Sequence, residues 1–124
     1  MKKVAKQTKI QKQEDCIFCK IIAGKLPCTR VYEDESVLAF LDISGDYPDH
    51  TLVVPKRHCT NLIDASNCRM TACIKAVAKI SRDYLKKGYD GVTVVNNSNH
   101  TALVKHLHFH IIPRKKDDGL KIEF

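Results

Sequence analysis

The sequence predicts an α+β domain: a mostly antiparallel sheet of about five strands, one long helix and a short N-terminal helix. Three observations lead there. Runs of β-prone residues follow one another across short loops, one long amphipathic segment interrupts them, and the last run alternates polar and apolar residues with a period of two. At 124 residues the chain has the size of a single domain whose core holds without crosslinks. Its 44% hydrophobic and 28% charged content is that of an ordinary globular protein. No apolar run approaches the roughly 20 residues that span a bilayer, and none follows the first lysines as a secretory signal requires. A secreted or membrane-spanning protein is therefore not expected.

Residues 1–15 carry five lysines against Glu14 and Asp15, a local +3 within a net charge of +7. They hold few large apolar residues and no alternation, and are expected to form a disordered basic arm. Such an arm is either a solubilising tail or a tether to RNA or acidic lipid. The domain then spans 16–124. Ile17, Phe18, Ile21 and Ile22 fall at helical spacing before Gly24, which reads as a short helix. Arg30–Glu33 and Val37–Asp42 read as strands around the turn-like Asp34-Glu35-Ser36. Ser44-Gly45-Asp46 and Pro48-Asp49 mark a loop, and Thr51–Val54 is a third strand that stops at Pro55. The long helix is expected over Asn67–Lys87, with Asp64 or Ser66 as its N-cap and Gly88 as its stop. Met70, Cys73, Ile74, Val77, Ile80 and Tyr84 fall on one face of it. Gly91–Val95 and Lys105–Ile112 complete the sheet, with Pro113 closing the last strand. One long helix covers one face of such a sheet, so the uncovered face or edge invites a partner, such as a second copy of the chain.

The chemistry concentrates in His106-Leu107-His108-Phe109-His110-Ile111-Ile112. Alternation places the three histidines on one sheet face and Leu107, Phe109 and Ile111 on the other, packed under the helix. Three adjacent imidazoles repel when charged, so at neutral pH most are expected to be neutral. Two chemistries suit them. A His-x-His pair, with Cα atoms about 6.7 Å apart, can share a metal, although the outer pair at about 13 Å is too far for all three to do so. Alternatively one imidazole attacks phosphorus while its neighbours stabilise the oxyanion. The basic net charge, His50 and His58 favour the second. Cys16-x-x-Cys19 admits three readings: reduced thiols, a redox dithiol or half of a metal site.

These segments resemble the histidine triad family of nucleotide hydrolases and transferases. The resemblance runs from Asp15-Cys16-Ile17-Phe18-Cys19-Lys20-Ile21-Ile22 through Tyr32-Glu33-Asp34, Ala39-Phe40-Leu41-Asp42-Ile43-Ser44 and His50-Thr51-Leu52-Val53-Val54-Pro55-Lys56-Arg57-His58 to His110-Ile111-Ile112-Pro113-Arg114. It is nearest the branch that cleaves adenosine and other purine nucleoside phosphoramidates, whose members are homodimers joined into one extended sheet. The resemblance implies His108 as the nucleophile that forms a nucleotidyl-histidine. It puts His110 on the phosphoryl oxygens, His106 as first histidine of the triad and His50 as a supporting fourth. His108 would donate its other ring N–H, the backbone carbonyl of His106 being the expected acceptor. Asp42 would accept from ribose hydroxyls, Asn96 would lie near the phosphates, and Ile17, Phe18, Ile21, Phe40 and Ile43 would line the base pocket. It also implies a structural zinc, one per chain, held by Cys16, Cys19, His58 and His106, a soft tetrahedral set that suits the ion. No organic cofactor is implied.

One departure stands out. Relatives carry Gly-Gln-Ser/Thr-Val before the first triad histidine, where this chain has the shorter Thr101-Ala102-Leu103-Val104. The hydroxyl position is Leu103; unless His100, Thr101 or Ser98 substitutes for it, loss of a transition-state hydroxyl there would slow the reaction about 10²-fold. A dinucleoside polyphosphate hydrolase, whose leaving group is a nucleotide, or a binding module with little turnover are the alternatives. The cytoplasm is the expected compartment, with a nuclear pool open to so small a basic protein.

Overall fold

A computed structural model describes residues 15–100 and 102–122. Most of the basic arm predicted for 1–15 therefore lies outside the described residues. The chain forms α1 (Ile17–Ile22), β1 (Arg30–Glu33), β2 (Val37–Leu41), β3 (Thr51–Pro55), α2 (Asn67–Lys86), β4 (Gly91–Val95) and β5 (Phe109–Arg114). The five strands make one antiparallel sheet in the order β1-β2-β3-β5-β4, which agrees with the α+β expectation.

The β1–β2 turn closes because Asp34 Oδ1 accepts from the backbone N–H groups of Ser36 and Val37, both at 2.8 Å. Ser66 caps α2 by accepting from Arg69 N at 3.3 Å, and Gly88 stops it at φ +106°, a left-handed conformation that glycine adopts without strain. The buried stripe of α2 is Cys73, Ala76, Val77, Ile80 and Tyr84. Ile74, expected on that stripe, is 52% exposed. At about 100° per residue it stands a quarter turn from the line through Cys73, Val77 and Ile80, and Ala76 takes the inner position.

The sheet has two covered faces. Val37, Ala39, Val53, Phe109 and Ile111 pack with the α2 stripe. Leu38, Phe40, Leu52 and Val54 pack with Cys16, Phe18 and Ile21. The expectation that one face lay uncovered is corrected by α1, which seals the second face over β2 and β3. The edge strand β4 remains half-buried, with Val94 44% exposed.

The last strand begins at Phe109, not Lys105, and runs through Pro113. Its register with β3 pairs Thr51 with Ile111 and Val53 with Phe109. Continued, that register would set Leu107 against Pro55, which has no N–H to give. Leu107 N instead donates to Cys59 O at 2.7 Å. Pro113 is tolerated because it lies past the end of β3 and pairs only with Val92 of β4. Among the described residues no helix is long and apolar enough to cross a membrane.

Candidate active site and metal centre

The alternation holds across His106–His108 even though the ladder starts later. Leu107, Phe109 and Ile111 are buried against α2, while the histidine rings gather on the other face. His108 and His110 have ring centroids 5.0 Å apart and His50 and His110 5.1 Å; Phe18 meets His106 and His108 edge-on at 5.9 and 5.2 Å. All four rings are buried, His106 completely. Burial, which disfavours the charged form, lowers every one of them from its ordinary range. His106 and His110 fall to about 4, with neighbouring histidines adding to the effect. His50 and His108 also shift down, opposed by the Asp42 carboxylate and, for His108, by its bond to the His106 carbonyl. The cluster is therefore neutral at pH 7.

Backbone carbonyls fix two tautomers. His108 Nδ1 donates to His106 O at 2.7 Å, the bond expected from the sequence, which leaves the His108 lone pair on Nε2. His106 Nε2 donates to Pro55 O at 2.9 Å, which leaves its lone pair on Nδ1. That Nδ1 faces Cys16 Sγ at 3.3 Å, Cys19 Sγ at 3.5 Å and His58 Nδ1 at 3.1 Å, and Cys19 Sγ lies 3.3 Å from His58 Nδ1. The four ligand atoms all lie within 4.8 Å of one another. A tetrahedral ion with bonds of about 2.0–2.3 Å has ligand–ligand edges of about 3.3–3.8 Å, so the set fits a metal closely. Burial and the neighbouring Cys16 push the Cys19 thiol up to about 12. Two thiolates in that place call for a cation. Cys28, Cys59, Cys68 and Cys73 are free thiols, and Cys73 is core of α2 as expected.

The other predicted residues divide. Phe18, Ile21 and Phe40 are buried in the cluster beneath β2 and β3, whereas Ile17 is 51% and Ile43 96% exposed. Asp42 turns its carboxylate to His50, with Oδ2 3.2 Å from Nδ1. Asn96 Nδ2 donates to His108 O at 2.9 Å, standing where a ladder bond would otherwise be. Ser98, weighed from the sequence only as a substitute for the loop hydroxyl, instead orients that amide: its hydroxyl donates to Asn96 Oδ1 at 2.5 Å and accepts from Leu62 N at 3.0 Å. The sequence signal was the Asn96-Asn97-Ser98 run after β4, where an Asx or Ser side chain commonly replaces backbone bonding. In the departing loop Leu103 is 97% exposed, Thr101 lies outside the described residues, and Lys105 Nζ holds the loop by donating to His100 O and Ala102 O at 3.0 and 2.7 Å.

Residues 23–117 match the family model described as HIT domain. The chain is 48% identical over 111 residues to an uncharacterized HIT-like protein of Methanocaldococcus jannaschii, covering 88% of this chain and 86% of that one. It is 35% identical over 105 residues to the adenosine 5'-monophosphoramidase of Schizosaccharomyces pombe, covering 83% and 77%. Among solved structures, a zinc-bound histidine triad family protein from Mycobacterium smegmatis superposes with a TM-score of 0.84 at 32% identity, covering 90% of this chain and 83% of that one. The chain belongs to the HIT, or histidine triad, family.

Proposed function

We propose that this protein is a nucleotide hydrolase that cleaves purine nucleoside 5'-phosphoramidates through a covalent nucleotidyl-His108. The observation that carries the reading is the 2.7 Å bond from His108 Nδ1 to His106 O, which aims the nucleophilic lone pair to Nε2 of a ring that is neutral and buried. His108 Nε2 forms a bond to the α-phosphorus as the phosphorus–nitrogen bond of the substrate breaks, and the amine leaves with a proton from solvent. Water then forms the phosphorus–oxygen bond as the bond to Nε2 breaks, and its proton returns to solvent. His110 contacts the phosphoryl oxygens, Asn96 holds the His108 backbone, and Asp42 takes the ribose hydroxyls. Ile17 and Ile43 are exposed to meet a base over the floor made by Phe18, Ile21 and Phe40.

Cys16, Cys19, His58 and His106 would hold a structural zinc, one per chain, which would tie α1 to the segment carrying the triad. The edge strand β4 supports a homodimer with a continuous sheet. The cytoplasm, with a nuclear pool, is the proposed compartment, and nucleic-acid binding by the basic arm is not part of the reading. The exposed Leu103 favours a second reading, a dinucleoside polyphosphate hydrolase, because a nucleotide leaves without a nearby proton donor. Turnover of adenosine 5'-phosphoramidate and of diadenosine tetraphosphate, measured side by side, tests the choice. Cleavage of the phosphoramidate supports the first reading, cleavage of the dinucleotide alone the second, and AMP binding with neither reaction leaves a binding module.

A further inference from the structure

Beside the metal cluster the surface sinks into a hollow of about 450 Å³, lined by Lys56, Arg57 and Arg69 together with Cys19, Ile22 and His58. A smaller hollow of about 270 Å³ lies at the start of α2 and shares Arg57 and Arg69 with the first. None of His50, His108 and His110 lines either one. The chain builds this place from two segments. Pro55 ends β3, and Lys56 N then donates to Ser36 O at 2.8 Å, which fixes the backbone against the β1–β2 turn as Arg57 leaves it. Arg69 comes from the first turn of α2, where the Ser66 hydroxyl holds its backbone N–H at 3.3 Å.

Positive charge here exceeds what the neighbours balance. Lys56 Nζ pairs with Glu33 Oε2 at 2.7 Å, but Arg30 claims the other oxygen of that carboxylate at 2.6 Å. None of the ion pairs among the described residues involves Arg57 or Arg69. Glu35 lines the smaller hollow and pairs with neither. Two guanidinium groups facing one cavity repel, and an anion between them reverses the sign of that interaction.

We propose that Lys56, Arg57 and Arg69 form an anion site, apart from the histidine face, that binds a short oligophosphate chain, free or as the tail of a nucleoside triphosphate. Each guanidinium presents a planar fork of N–H donors that matches two oxygens of one phosphate, and Lys56 adds a compact point charge. A carboxylate would satisfy one arginine and leave the other. A row of phosphates passes from one hollow to the next across the shared pair and meets all three cations. The larger hollow falls within the size range of small-molecule sites.

Calorimetric titration of tripolyphosphate and of ATP into the full chain, with AMP in excess to fill the histidine site, tests the proposal. Wild type is expected to bind, and Arg57→Gln and Arg69→Gln are each expected to weaken binding at least about tenfold. Lys116→Gln removes an exposed charge elsewhere on the surface, and is expected to leave affinity unchanged. Whichever of the two ligands binds wild type more tightly identifies the source of the chain. Absence of binding, equal affinity in wild type and both arginine variants, or an equal loss in Lys116→Gln overturns the site. Nitrogen-15 spectra of the arginine side chains in wild type give a readout that does not depend on how the variants fold. Shifts of the Arg57 and Arg69 Nε–H signals on adding tripolyphosphate support the site, and signals that stay in place overturn it.

Discussion

His106 serves two sites at once: its ring Nδ1 lies 3.3 Å from Cys16 Sγ in the metal cluster, and its carbonyl oxygen lies 2.7 Å from His108 Nδ1. The metal cluster and the proposed nucleophile are thus one residue apart in bonding terms. A ring held in the cluster fixes the backbone that orients His108.

If the proposed zinc is held there, replacing Cys19 by serine is expected to abolish metal binding and to lower Tm by roughly 10 °C, the size of a few kcal/mol in a domain this small. Metal analysis and thermal unfolding of purified wild type and Cys19→Ser check it. Equal Tm with metal lost would mean that the cluster does not stabilise the fold.

Asn96→Ala removes the donor to His108 O, and Ser98→Ala removes the hydroxyl that orients Asn96. A single hydrogen bond of about 1 kcal/mol predicts a loss of up to about tenfold in kcat for Asn96→Ala and less for Ser98→Ala. Steady-state kinetics of the two variants should keep that order. A larger effect from Ser98 would place its hydroxyl on the substrate.

Leu103→Ser supplies the hydroxyl that the family resemblance leads one to expect at this point of the loop, and Leu103 is exposed enough to be changed without disturbing the core. Phosphoramidate turnover is expected to rise about tenfold or more, with little change on diadenosine tetraphosphate. An unchanged rate on both would mean that the shortened loop does not reach the leaving group.

Stability should fall in acid through the buried histidines. Burial lowers His50 from the ordinary histidine value of about 6.5, and takes His110 to about 4. Unfolding restores the ordinary value, so between about 4 and 6.5 the unfolded chain binds more protons and stability declines as pH drops. Urea midpoints at pH 7.5 and 5.0 should differ in that direction, and by less in His110→Gln. The same difference in both proteins would remove His110 as a source.

Much of this site was legible in the chain. Period-two alternation placed His106, His108 and His110 opposite Leu107, Phe109 and Ile111, because that pattern depends only on local chain geometry. Cys16, Cys19, His58 and His106 were legible through the family resemblance, and they do converge. What stayed hidden depends on partners distant in sequence. The start of β5 is set by Pro55, which cannot donate to Leu107. The cover on the second sheet face is α1, too short to announce what it packs against. The turn of Asp42 to His50 follows from the register that brings Asp42 N to His50 O at 2.8 Å, and no spacing rule along the chain encodes it.

The central claim is that His108 is the nucleophile. Acid quenching of a reaction with adenosine 5'-phosphoramidate, followed by intact-protein and peptide mass spectrometry, reads it directly. An adenylyl group on His108 in wild type, absent from His108→Ala together with turnover, is the predicted result. Turnover that survives in His108→Ala, or an adduct on another residue, would contradict it.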